Sequence, residues 1–116
     1  MATISGIYAI CNHTTGEAYI GQSRRMSHRW EEHRKALHAA RHGNAALQAA
    51  WDSNGMASFG LVVLEQTTEM VPDNCVQAWD LERSRQTREA FWLARARAAG
   101  IVLYNDQVGR WRKRAA

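Results

Sequence analysis

The sequence predicts an α+β domain in which a three-stranded antiparallel β-sheet is flanked by helices. Three observations predict it. Two short stretches, residues 4–11 and 17–22, alternate with the period of two that a pleated strand imposes, and a polar loop ending in Gly16 joins them. A third apolar stretch, Leu61 to Leu64, lies beyond an Asn54-Gly55 stop. The segments between and after these strands carry apolar residues at helical spacing.

The first strand sets Ile4, Gly6, Tyr8 and Ile10 on one face and Ser5, Ile7, Ala9 and Cys11 on the other; the second sets Glu17, Tyr19 and Gly21 together. A five-residue connection, Asn12 to Gly16, suits a hairpin, which would bring Tyr8 and Tyr19 close together. The glycines leave room for another backbone to approach. Ser27 is a reasonable N-cap for the first helix, where Met26, Trp30, Leu37 and Ala40 would face the sheet. Arg25, Arg29 and His33, four apart, form a stripe along the edge of that face. His38 and His42 read as exposed side chains, or secondarily as contacts to a DNA backbone, because no further zinc ligands cluster with them. Gly43 is a natural terminator, and Asn44 caps a second helix over residues 45–53, with Leu47 and Trp51 inward. The third strand spans residues 59–65. Residues 66–78, which hold Pro72, Asp73 and Asn74, read as an irregular loop. A long helix follows from about residue 80 to 99, stopped by Gly100, and Ile101 to Tyr104 is a short extended piece.

Gly6-Ile7-Tyr8 followed by Tyr19-Ile20-Gly21, each triplet in a strand, resembles the signature of the GIY-YIG nuclease family, which includes homing endonucleases. The resemblance implies a metal-dependent endonuclease that hydrolyses DNA phosphodiester bonds. Arg29-Trp30-Glu31-Glu32-His33 matches the family's arginine, aromatic and one-turn-later histidine. By resemblance Arg29 steadies the charge developing on the scissile phosphate, a task suited to an always ionised fork of donors. His33 hydrogen-bonds to a catalytic tyrosine or a water, since a neutral imidazole offers both donor and acceptor. Arg24, or equally Arg25, falls where the family carries a basic residue near the cut phosphate. Glu89, in Arg88-Glu89-Ala90-Phe91-Trp92-Leu93, resembles the family's metal carboxylate, implying one Mg²⁺ or Mn²⁺ held with waters and phosphate oxygens. Asn105 resembles its late asparagine, able to orient a loop, Tyr8 or a metal-bound water. The resemblance implies a water deprotonated near the metal and Tyr8. Tyr8 is a poor base at a reference pKa of about 10, so metal or phosphate must favour its ionised form, or else it only orients the water; Tyr19 positions that water or the phosphate.

Other readings of the same residues need no nuclease. Arg29 with Glu32, or Glu31 with Lys35, would make an ordinary solvated face, and Glu89 could pair with Arg85 along its helix. Residues 66–78 connect at greater length than is usual in the family, so Glu65, Glu69, Asp80 and Glu82 compete for the metal role.

The chain of 116 residues suits one catalytic domain over residues 1–109 with a basic tail over 110–116. Net charge +4 and pI near 9.6 favour a polyanionic partner. In the tail, Arg110, Trp111, Arg112 and Lys113 suit phosphate contact with base stacking, or else a solubilising end. The expected partner is double-stranded DNA. No zinc finger or helix-turn-helix pattern accompanies it, so sequence specificity calls for a homodimer or a partner protein. No apolar run reaches membrane-span length and the first residues lack a signal pattern; with Cys11 and Cys75 read as reduced thiols, a cytoplasmic, intracellular protein is expected. The alternative function is a basic nucleic-acid-binding module of the same fold, weak or inactive in cleavage.

Overall fold

Strand β1 (Ser5–Asn12) is the middle of the sheet and is covered on both faces, so its two alternating sets of side chains enter two separate cores. The computed structural model describes residues 4–69 and 71–107. Strands β2 (Ala18–Ser23) and β3 (Phe59–Thr67) pair antiparallel with β1 in the order β2-β1-β3. Helices α1 (Met26–His38) and α2 (Ala45–Asn54) cover one face, where Tyr8 and Ile10 pack with Met26, Leu37, Leu47, Trp51 and Phe59. Helix α3 (Cys75–Ala98) covers the other, where Ile7, Ala9 and Ile20 meet Ala96 and Leu103, flanked by Trp92 and Leu93. The expected α+β architecture of three antiparallel strands and flanking helices is the one observed.

The glycines of the hairpin do different jobs. At Gly6 (φ +151°) a Cβ would lie 1.9 Å from the Glu65 carbonyl oxygen, so β3 closes on β1 only because position 6 has no side chain. The pairing of β1 with β3 shifts register beside it, between Ile7 and Tyr8. At Gly21 the approaching group is not backbone, as expected, but a side chain: a Cβ there would lie 2.4 Å from Tyr8 Oη and 2.6 Å from Tyr8 Cζ. Register pairs Tyr8 with Gly21 and Ile10 with Tyr19, which sets the two tyrosines on the same face as diagonal neighbours.

Several boundaries differ from expectation. Helix α1 begins one residue before Ser27, with Arg25 at the N-cap and no side-chain cap; Ser23 Oγ instead accepts the Arg25 N–H at 2.9 Å. It ends at His38, short of Gly43, because Ala40 takes the left-handed conformation (φ 58°) and the Arg41 N–H returns to the Ala36 carbonyl. Asn44 caps α2 as expected, accepting from the Leu47 N–H. Strand β3 runs two residues past 65. Helix α3 starts at Cys75 rather than near 80, since Asn74 Oδ1 accepts the Gln77 N–H while Gln77 Oε1 accepts from Asp73 N–H. That Asn-x-x-Gln pattern is a capping signal readable in the sequence. After α3, the 101–104 piece touches β2 through a parallel Ala18–Leu103 bridge and then tightens into a 3₁₀ turn, Tyr104–Gln107. No helix among the described residues is long and apolar enough to cross a membrane. Cys11 and Cys75 are free.

Candidate active site

The site is built where β1, β2 and α1 meet at one end of the α1–α2 face. Tyr8 lies almost wholly buried on the central strand, its phenol seated over Gly21. Tyr19, on the edge strand, is half-buried and lines a cleft of about 340 Å³ together with Arg29, His33, His42 and Asn105. Along α1 the basic stripe runs from outside inward: Arg25 is exposed, Arg29 half-buried and His33 buried. The stripe crosses from solvent into the core because successive four-residue steps drift around the helix.

Tyr8 Oη and His33 Nε2 are 2.7 Å apart, and His33 Nδ1 lies 2.7 Å from His42 Nε2. The His42 and His33 rings lie within 23° of parallel with centroids 5.0 Å apart, and the Tyr19 ring meets His33 edge-on at 5.4 Å. Burial pushes the Tyr8 hydroxyl well above its ordinary value, reinforced by Tyr19 and opposed by the Arg29 guanidinium. Tyr19 is raised for the same reason. Burial, then Arg29 and His42, drives His33 down to about 3, so its imidazole is neutral. Both phenols are therefore hydroxyls in the resting protein.

Arg29 is weakly attached to exposed Glu32 at 3.4 Å and comes within hydrogen-bonding reach of the Tyr8 hydroxyl, which leaves its remaining donors available. The ordinary-face alternative holds to that extent; Glu31, however, pairs with Arg34 instead of Lys35. Arg24 and Arg25 are exposed, flanking the start of α1, with no ion pair among the described residues.

Glu89 sits half-buried on α3 beside Trp92 and Leu93, and its charge reaches both phenols, raising each. It does not line the cleft itself. Arg85 does not pair with it; that guanidinium bonds Glu69, in a pair buried on both sides, and Gln22 Oε1. Two of the competing carboxylates are thereby occupied: Glu69 by Arg85, and Glu65 by Arg88 and by Trp92 Nε1 at 2.8 Å. Asp80 and Glu82 are exposed, two turns or more towards the N-terminus of α3. Glu89 is left with no ion pair among the described residues, and burial raises its carboxyl above the usual range. A desolvated carboxylate without a cation suits one divalent ion sharing its remaining positions with water and phosphate. No cluster of three or more ligating side chains exists among the described residues.

Asn105 accepts from the Ile20 N–H at 2.9 Å and donates to the Ile20 carbonyl at 2.8 Å, gripping the outer edge of β2 between Tyr19 and Gly21. It was expected to orient a loop, Tyr8 or a metal-bound water; the bonds it makes are to strand β2 instead. Arg110, Trp111, Arg112 and Lys113 lie outside the described residues. His42 was expected to be exposed. It is instead half-buried in the site, with Nδ1 accepting the Asn44 N–H at 2.9 Å. The signal was faint: a histidine two residues before a helix-capping asparagine, in a turn whose fold-back depends on Ala40.

Tyr8, Tyr19 and Arg29 come together at one end of this sheet, and a family model for the GIY-YIG catalytic domain, a nuclease domain, matches residues 4–98. The chain belongs to that family. Among solved structures it is similar to the catalytic domain of the homing endonuclease I-TevI, with TM-score 0.61 and 26% identity over 78% of this chain and 86% of that one. It is also similar to a glutamate-to-alanine mutant of the same catalytic domain, TM-score 0.63 and 26% identity over 79% of this chain and 82% of that one. No curated protein matches the chain.

Proposed function

We propose that this GIY-YIG nuclease domain is a divalent-metal-dependent endonuclease that hydrolyses DNA phosphodiester bonds. The observation that carries the reading is a polar cleft lined by half-buried Tyr19 and Arg29, with the buried Tyr8 phenol bonded to His33 in its wall and an unpaired carboxylate in electrostatic reach of both phenols. Water attacks phosphorus in line: the new oxygen–phosphorus bond forms as the bond to the leaving oxygen breaks, the water's proton passes to solvent and the leaving oxygen takes one up. Tyr8 is too costly to ionise in its buried seat, so it acts as a hydroxyl that orients the water or a phosphate oxygen, with Tyr19 beside it. His33 holds the Tyr8 phenol. Arg29 stabilises the charge that builds on the phosphate. Glu89 holds Mg²⁺ or Mn²⁺, which when bound supplies Lewis-acid polarisation of the phosphate. Asn105 holds the strand that carries Tyr19. Arg24, Arg25 and the 110–113 stretch contact flanking phosphates, and a second copy or partner protein selects the sequence.

Incubating the purified chain with supercoiled plasmid, linear duplex, single-stranded and branched DNA, and RNA, with Mg²⁺, Mn²⁺ or EDTA, tests this. Metal-dependent nicking or cutting of duplex DNA is expected. Binding without any nicking would replace the reading with the inactive basic module, and preference for RNA or branched DNA would correct the substrate.

A further inference from the structure

A chain of hydrogen bonds runs from the backbone of Asn44 through two imidazoles to Tyr8, and its polarity is determined by its first link. The Asn44 N–H can only donate, and it points at His42 Nδ1 from 2.9 Å. That nitrogen is therefore bare, and a neutral His42 carries its proton on Nε2. His42 Nε2 stands 2.7 Å from His33 Nδ1, so it donates there and leaves His33 Nδ1 bare as well. His33 must then carry its own proton on Nε2, and across the 2.7 Å contact it donates to Tyr8 Oη. The Tyr8 oxygen is an acceptor in this bond. Its hydroxyl proton has no acceptor among the described residues, yet the residue is 1% exposed. A buried donor without a partner is expensive, and a water or phosphate oxygen at the site would supply one.

We propose that His42 is a positioning residue: the Asn44 backbone amide sets its tautomer, which makes His33 a donor to Tyr8 and commits the Tyr8 hydroxyl proton to a water or phosphate oxygen. The proposal rests on Tyr8 facing the reacting phosphate, as in the function proposed above. It also excludes His33 as the group that draws the proton off Tyr8, because the nitrogen facing Tyr8 is already protonated. His42 can serve this role because the turn after α1 folds back through the left-handed Ala40, and Gln48 Oε1 accepts the His42 N–H at 3.1 Å. The groups facing the His42 ring are His33 and Arg29 from α1 and Tyr19 from β2. Glu32 lines the same cleft and the Asn44 backbone favours an imidazolium, but burial outweighs it and, with Arg29, holds His42 below its ordinary value. Even so, protonating His42 would put a second N–H against that of Asn44 and break the relay from its far end.

Ring-nitrogen NMR of the ¹⁵N-labelled full chain at neutral pH reads the tautomers without any cleavage. Both His33 and His42 should carry protons on Nε2 and none on Nδ1, with a scalar coupling from His42 Nε2 to His33 Nδ1. His33 protonated on Nδ1 would overturn the proposal, and this arm decides it even if the chain cleaves no DNA. In the cleavage arm, His42→Ala should slow cutting about five- to a hundredfold, the cost of leaving the buried His33 nitrogen without its partner. His42→Gln keeps one acceptor and one donor on neighbouring atoms, so it should recover most of that loss and blunt the fall in rate at acid pH. Equal losses in the two variants, with both spectra still folded, would refute the relay.

Discussion

Replacing Gly21 by alanine should unseat Tyr8 while leaving every catalytic side chain in the sequence. The new methyl carbon would stand 2.4 Å from Tyr8 Oη and 2.6 Å from Cζ, against an ordinary contact of 3.4 Å or more, so the phenol must shift by about 1 Å. A shift of that size is incompatible with the 2.7 Å bond to His33. Overpacking of this kind costs about 1–3 kcal/mol, which for a chain of this size lowers Tm by roughly 4–12 °C. Misplacing a positioning group by that distance costs on the order of a hundredfold in rate. Thermal unfolding followed by circular dichroism and plasmid nicking measure the two effects. The steric reasoning makes a stronger demand through a double-mutant cycle with Tyr8→Leu, which removes the phenol that the methyl group meets. Gly21→Ala should cost little stability in that background. An equal loss with and without the phenol, or a Gly21→Ala protein that melts and cuts like the wild type, would refute the seat.

Gly6→Ala should be more destructive to the fold than Gly21→Ala, because its Cβ would meet the Glu65 carbonyl at 1.9 Å and no side chain can move aside; circular dichroism should show unfolding or a far lower Tm. Arg29→Ala and Glu89→Ala should each lower cleavage by roughly a hundredfold or more while circular dichroism stays native, and near-wild-type cutting by Glu89→Ala would remove the metal assignment. Stability should fall in acid through His33. Burial holds it neutral in the fold down to about pH 3, while unfolded it takes up a proton near its reference value of about 6.5. Above that value both states are neutral and there is no penalty; below it, down to about 3, only the unfolded state gains the proton. The loss approaches about 1.4 kcal/mol per pH unit, so urea unfolding from pH 7 to 4 should show a steeper decline in the wild type than in His33→Gln, and parallel declines would show that the imidazole is not held neutral.

The sequence by itself determined the sheet and its family. Two period-two triplets ten residues apart can face each other only across a hairpin, and Asn44 before an apolar helix is a local signal that needs no tertiary partner. Arg29 and His33 were legible because four-residue spacing on a helix puts them on one stripe. What only the tertiary structure decided were contacts between elements distant in the chain. Glu65, Glu69 and Glu89 are alike as carboxylates, and the cations that reached the first two, Arg88 and Arg85, are what left Glu89 unpaired. Gly21 reads as a gap for backbone until the Tyr8 phenol is seen filling it. His42 has no periodic partner; a left-handed Ala40 turns the chain back so that a backbone amide and two rings line up. Periodicity records which face a residue shares, and the direction of a hydrogen bond depends on which donor arrives there in space.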